Sequence, residues 1–193
     1  MKRALAMVAF ILFAFRPALA HENFYSVILD GPSEAPPNAS PGTGTALVTV
    51  DLDLITMRVE LSFSGLTGTT SASHIHGNTT TPGAGTAIVA TQTPTFTGFP
   101  LGVTAGTYDH TFDMTLASSY NSAYIAAHGG TVATAFNDLI AGMDQGRTYL
   151  NVHTSTFPGG EIRGFLQAIP EPSSCGLLLL GGIALVRRRR AGR

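Results

Sequence analysis

The run from residue 55 to residue 64 alternates without a break. Ile55, Met57, Val59, Leu61 and Phe63 are apolar, and Thr56, Arg58, Glu60, Ser62 and Ser64 are polar. In an extended chain successive side chains point to opposite faces, so such a run buries one face and wets the other. Wound as a helix, the same residues would have no buried face at all. Weaker alternation covers residues 23–29, 45–51, 86–91, 107–115, 148–153 and 161–167, and Gly31-Pro32, Pro36-Pro37, Pro41-Gly42, Pro82-Gly83 and Pro158-Gly159-Gly160 punctuate the runs. Many short strands separated by turn signals predict an all-β fold, an antiparallel β-sandwich or Greek-key barrel. One short helix is predicted over residues 132–141, with Thr131 as its N-cap and Gly142 as its stop, because Val132, Ala135, Phe136 and Leu139 share a face at helical spacing. Residues 92–106 have no clear period, and residues 117–130 fit a loop or a poor helix equally well.

The two ends follow a different grammar. Lys2 and Arg3 precede an apolar run over residues 4–15, and Pro17-Ala18-Leu19-Ala20 supplies the small residues a signal peptidase reads, so residues 1–20 are expected to be a signal peptide cleaved before His21. A membrane span is the weaker reading, since about 12 residues at a rise of about 1.5 Å reach only about 18 Å, against a hydrocarbon core of about 30 Å. At the other end Pro170-Glu171-Pro172-Ser173-Ser174 leads into an apolar stretch over residues 175–186, then Arg187 to Arg190 and Arg193. A short apolar segment stopped by arginines that stay cytoplasmic predicts a transient anchor at the inner membrane. What lies between, residues 21–168, is expected to be one domain.

Without its ends the chain is acidic. Residues 21–170 hold three arginines, Arg58, Arg147 and Arg163, against eleven carboxylates, a formal charge of −8. Nucleic acid is therefore excluded as an expected partner, because that affinity rests on Lys and Arg neutralising phosphates. The only cysteine, Cys175, falls in the C-terminal stretch, which leaves the middle without disulfides, thiolate ligands or thiol nucleophiles. No nucleophile elbow, phosphate loop or HExxH helix is present.

The best chemical lead is His74-Ile75-His76. On a strand the i, i+2 spacing puts both imidazoles on one face. His153 ends another run on which Tyr149, Asn151 and His153 face one way and Leu150 and Val152 the other. If the two strands pair, three imidazoles converge into a site suited to copper or zinc. An isolated HxH is more often structural than metal-binding, and the third histidine favours a metal site only if it proves adjacent. Glu161 and Arg163 follow a Pro-Gly-Gly bend, again at i, i+2. They are expected to form an ion pair or hydrogen-bond ring, with Glu161 orienting an imidazole as the alternative. Asp51 and Asp53 flank a turn and are expected to be solvated or calcium-associated.

Three resemblances add to these readings. Residues 169–193, PEPSS followed by a short apolar segment and an Arg run, resemble the PEP-CTERM sorting signal, with Pro170, Glu171 and Pro172 as its motif. That resemblance implies removal of the tail by an exosortase and an exported protein on the surface or in the biofilm matrix of a Gram-negative bacterium. The block from Leu29 to Pro37 with Gly42-Thr43-Gly44, then Phe63 to Gly68 with Ser73 to Gly77, then Tyr149 to Thr154 with Pro158 to Gly164 are together similar to the CHRD domain, from Phe24 to Leu166. This implies a β-rich extracellular domain, and the long segment 94–130 departs from the compact family pattern. The HxH strand with a later His and a Gly-rich hairpin is also similar to the copper site of Cu/Zn superoxide dismutases, although this chain lacks their disulfide cysteines and bridging histidine.

The expectation is thus a non-enzymatic surface or matrix module with a His-based copper or zinc site. Its rivals are a copper-dependent redox enzyme, with His110 or His128 as fourth ligand, and an exopolysaccharide-binding protein. With no Trp in the chain, stacking on sugars would fall to Tyr25, Tyr108, Tyr120, Tyr124 and Tyr149.

Overall fold

Eight strands carry the fold of residues 21–169, the part of the chain that the computed structural model describes. They are β1 (Glu22–Asp30), β2 (Thr43–Asp51), β3 (Thr56–Ser64), β4 (Thr70–His76), β5 (Gly106–Asp113), β6 (Tyr149–Thr154), β7 (Ile162–Phe165) and β8 (Gln167–Ile169). A 3₁₀ turn (Ala117–Ser119) and two helices, α1 (Ser122–Ala127) and α2 (Val132–Asp144), fill the excursion between β5 and β6. The expected signal peptide over residues 1–20, the expected sorting motif Pro170, Glu171, Pro172 and the apolar and Arg-rich stretch after it lie outside the described residues. Among the described residues no helix is long and apolar enough to cross a membrane.

The class is all-β and antiparallel, as the alternation implies. The strands hydrogen-bond into one sheet in the order β4-β6-β7-β1-β2-β3-β5, with β8 also pairing β1, and the sheet curls into a half-barrel. Rows of side chains line its inner face: Tyr25 opposes Val48 and Val48 opposes Val59, while Val27 opposes Ala46 and Ala46 opposes Leu61. These residues are buried together with Phe96, Phe112, Phe136 and Leu139. Each large apolar side chain fully buried there contributes about 1.5–3 kcal/mol.

Four sequence expectations shift. The β3 strand begins at Thr56, because Ile55 takes a left-handed φ of 53° at the end of the turn from β2. Residues 86–91 form no strand, only isolated bridges from Val89 to His76 and from Thr91 to Tyr120. Part of their backbone capacity goes to side chains instead of a ladder, the Ala87 carbonyl accepting from His76 and Tyr149. The run 161–167 divides into β7 and β8 at Leu166, whose N–H turns to the Thr148 carbonyl, yet both halves keep one register on β1, Asp30 facing Arg163 and Ser26 facing Gln167.

The fourth shift concerns Gly142, which does not stop α2. The helix continues to Asp144, and a Cβ on Gly142 would collide with the Asn78 amide, so the glycine serves packing. Gly146, at φ 62°, is the glycine that ends the helix. Its N–H donates to the Met143 carbonyl and the Arg147 N–H to that of Gly142, the paired bonds of a Schellman motif. At the other end Thr131 caps the helix, as its sequence position implies, by accepting from the Thr134 N–H.

Candidate metal centre

Strands β4 and β6 pair antiparallel with Ala72 opposite His153, His74 opposite Asn151 and His76 opposite Tyr149. One face of this pair sends Ile75, Leu150 and Val152 into the core. The other face would ordinarily meet water, but it carries His74, His76, Asn151 and Tyr149, all buried, with His153 partly exposed. Segments leading away from β4 and β6 lie over it and give it their backbone carbonyls. The result is a buried polar layer on the far side of the sheet from the apolar core.

The three imidazoles converge, each able to offer one ring nitrogen with no pair of those atoms more than 4.8 Å apart. The orientation of each ring is set by its other nitrogen. His74 Nε2 lies 2.6 Å from the Pro94 carbonyl, His76 Nδ1 2.9 Å from that of Ala87, and His153 Nδ1 2.9 Å from that of Pro158. A carbonyl only accepts, so each of these nitrogens carries the proton and donates. The nitrogens left, His74 Nδ1, His76 Nε2 and His153 Nε2, bear lone pairs in the neutral rings. His74 Nδ1 and His153 Nε2 stand 3.3 Å apart, about the edge expected between tetrahedral ligands with bonds of about 2.0–2.1 Å. His76 Nε2 is buried and has no hydrogen-bond partner.

Burial also keeps these rings neutral. Desolvation pulls the pKa of both His74 and His76 from 6.5 to about 4, against the opposing pull of the Pro94 and Ala87 carbonyls. The His153 pKa is lowered by desolvation as well, with the Pro158 carbonyl resisting. A neutral imidazole is the form that binds a metal, and protons compete little for these three near neutral pH. A ring nitrogen facing the ion while the other donates to a carbonyl is the usual arrangement around metal-bound histidine.

The family model described as the CHRD domain matches residues 25–166. The chain belongs to the CHRD domain family. No curated protein and no solved structure matches it. The matched span of this CHRD domain includes β4 and β6, and with them all three histidines.

Around the cluster, the CHRD domain distributes its charged residues differently from the sequence expectation. Glu161 is fully buried but touches no imidazole. It accepts from the Thr67 and Gly68 N–H groups and from the Ser40 and Thr154 hydroxyls. Desolvation pushes its pKa up, but these four hydrogen bonds outweigh it and hold the carboxyl below its usual range. Glu161 thus fastens the loops before β2 and β4 to the β6–β7 turn and does not orient a ligand. Arg163 pairs instead with Glu34, at 4.0 Å. Its guanidinium donates to the Ser33 and Gly85 carbonyls and lies 4.6 Å over the Tyr149 ring. Glu34 is pushed up to about 7 by burial, with Arg163 and the Ala35 N–H opposing.

The remaining candidates lie elsewhere in the CHRD domain. His110 sits on β5, at the far end of the sheet order from β4, and His128 stacks on Tyr124 and meets Asp138 at 3.1 Å. Neither joins the cluster. Asp51 Oδ1 accepts from the Asp53 and Leu54 N–H groups, which makes it a turn residue. All five tyrosines are buried, so none presents a ring face to a sugar. What sequence reasoning missed are the three carbonyl partners and Glu34: a backbone oxygen leaves no trace in residue type, and nothing in the sequence connects Glu34 to Arg163.

Proposed function

We propose that this CHRD domain is an exported surface or matrix module that binds one transition-metal ion, copper or zinc, through His74, His76 and His153. The observation that carries the reading is the set of free lone pairs: three neutral rings, each anchored from behind by a carbonyl, gather within 4.8 Å of one another by one nitrogen each, and His76 Nε2 is buried without a partner. Leaving such a group unsatisfied costs about 1–3 kcal/mol, and an ion bound there removes that cost. Imidazole donors suit copper and zinc. Export is supported by residues 1–20 and by the PEPSS, apolar and arginine pattern of the C-terminal stretch.

The test is titration of the purified, chelator-treated chain with zinc and copper ions, followed by elemental analysis. About one ion per chain is expected in the wild type and none in His74→Ala/His76→Ala. Binding no tighter than micromolar, or equal binding by the double variant, overturns the metal reading. N-terminal sequencing of the protein recovered outside the producing cells, expected to begin at His21, tests export separately. The partial exposure of His153 gives the redox reading its foothold, and superoxide turnover by the copper-loaded chain would establish that reading instead.

A further inference from the structure

We propose that the side-chain oxygen of Asn151 is the fourth donor of this site, completing an N₃O set with His74, His76 and His153. The inference rests on the metal reading above and goes beyond it by fixing the coordination. Asn151 stands directly opposite His74 in the β4–β6 register and two residues before His153 on the same face of β6, so its short side chain shares that face with the three rings. It is 2% exposed. Asn151 is within side-chain hydrogen-bonding reach of His76, but the geometry closes no hydrogen bond at either Asn151 Oδ1 or His76 Nε2.

Two buried acceptors beside each other with no donor between them are unfavourable. Buried polar atoms are almost always satisfied, and an exception calls for a missing partner. Of the buried side-chain atoms left unsatisfied among the described residues, two, Asn151 Oδ1 and His76 Nε2, belong to this one layer and to adjoining strands. The same partner would satisfy both if it were a cation drawing on the lone pairs of all four groups. Three imidazoles and one amide oxygen are a donor set that zinc accepts as a tetrahedron and divalent copper in tetragonal form.

The rival arrangement has the Asn151 amide turned over, so that its N–H₂ donates to His76 Nε2 and no ligand is needed. The two readings diverge on substitution. Zinc affinity is measured by chelator competition for the wild-type chain, Asn151→Ala and Asn151→Asp, alongside the melting temperature of each metal-free protein and the electron paramagnetic resonance spectrum of each copper-loaded one. If Oδ1 is a ligand, Asn151→Ala binds zinc about 10- to 100-fold more weakly, the scale on which groups supporting a metal site act. Its metal-free melting temperature does not fall, because the side-chain oxygen has no partner to lose. Asn151→Asp, which keeps an oxygen at the same place, binds at least as tightly as the wild type. Its copper spectrum keeps the three-nitrogen splitting with shifted principal values.

Wild-type affinity in Asn151→Ala overturns the proposal, as does weaker binding by Asn151→Asp than by Asn151→Ala. A metal-free Asn151→Ala protein that melts well below the wild type assigns the residue a structural role and overturns it too. Failure of the wild-type chain to bind any ion takes down the metal reading itself, and is thereby distinguished from failure of the fourth ligand alone.

Discussion

His74 Nδ1 faces His153 Nε2 across 3.3 Å with no proton between them, since each ring spends its N–H on a carbonyl, Pro94 for one and Pro158 for the other. Two lone pairs held this close repel until a cation lies between them, so ion binding couples to stability. At a free zinc concentration about 100 times Kd, linkage gives about 2.7 kcal/mol, or a rise in Tm of roughly 5–11 °C for a domain of this size. Calorimetry with zinc and then with excess chelator should show that rise and its reversal. His153→Ala should show neither, and a variant that keeps the full shift would remove His153 from the site.

Acid should weaken the metal-free domain over a defined window. His74 and His76 titrate near 4 when folded and near 6.5 when unfolded, so between those values the unfolded chain binds protons that the folded chain refuses. Stability is therefore full above about pH 6.5 and falls as the pH drops toward 4, by at most about 3 kcal/mol per histidine. Glu34 works the other way, since its raised value of about 7 makes the folded state gain as pH falls from 7 toward the usual carboxylate range. Two histidines, joined by His153, oppose one glutamate, and the net change is a loss. Urea midpoints at pH 7.5, 6, 5 and 4 check this, and Glu34→Gln should steepen the decline below pH 6.5. A midpoint that stays level from 6.5 to 4.5 would refute the burial of neutral rings.

How far the sequence reaches can be seen by comparing residues. The alternation over residues 55–64 locates β3 to within one residue, because a strand with one wet face needs period two and nothing else competes there. The i, i+2 spacing of His74 and His76 places both rings on one face for the same reason. That His153 joins them depends on the β4–β6 register, with Ala72 opposite His153, and no local pattern encodes which strands pair. Residues 86–91 alternate as well as several true strands do. In the fold they make isolated bridges, and the Ala87 carbonyl serves His76 and Tyr149, a tertiary demand that overrides local preference. Gly142 and Gly146 look alike as helix stops in the sequence, but Gly146 takes the left-handed φ of 62° that ends the helix, while Gly142 stays helical against the Asn78 amide, distant in sequence.

Glu161 should matter for folding and not for metal. Its carboxylate satisfies two backbone N–H groups and two hydroxyls inside the protein, and hydrogen bonds to a charged group are worth about 1.5–3 kcal/mol. Glu161→Ala leaves those donors buried and unpaired and should cost at least about 3 kcal/mol. Denaturant unfolding measures the loss, and zinc affinity in the residual folded protein should stay within a few fold of wild type. A large drop in affinity at unchanged stability would return Glu161 to the metal site.

Two glycines of the β6–β7 region should respond in opposite ways to the same substitution. A Cβ on Gly164 would strike the Ile28 carbonyl and meet the Val27 side chain, because β7 crosses close against β1 there. Backbone cannot yield as a flexible side chain does, so Gly164→Ala should reach or exceed the upper end of the usual overpacking cost of about 1–3 kcal/mol. Gly159, in the turn before β7, has nothing within 4 Å of a Cβ and no left-handed φ. Gly159→Ala should therefore be neutral or stabilise by up to about 1 kcal/mol, by restricting the unfolded chain. Paired urea unfolding of the two variants tests the close approach of β7 to β1. Since β7 also pairs with β6, Arg163 opposite Asn151, a β7 displaced from β1 by Gly164→Ala should loosen the polar layer and weaken zinc binding, whereas Gly159→Ala should leave it unchanged. Equal stability of the two variants would mean that β7 does not sit against β1 as described.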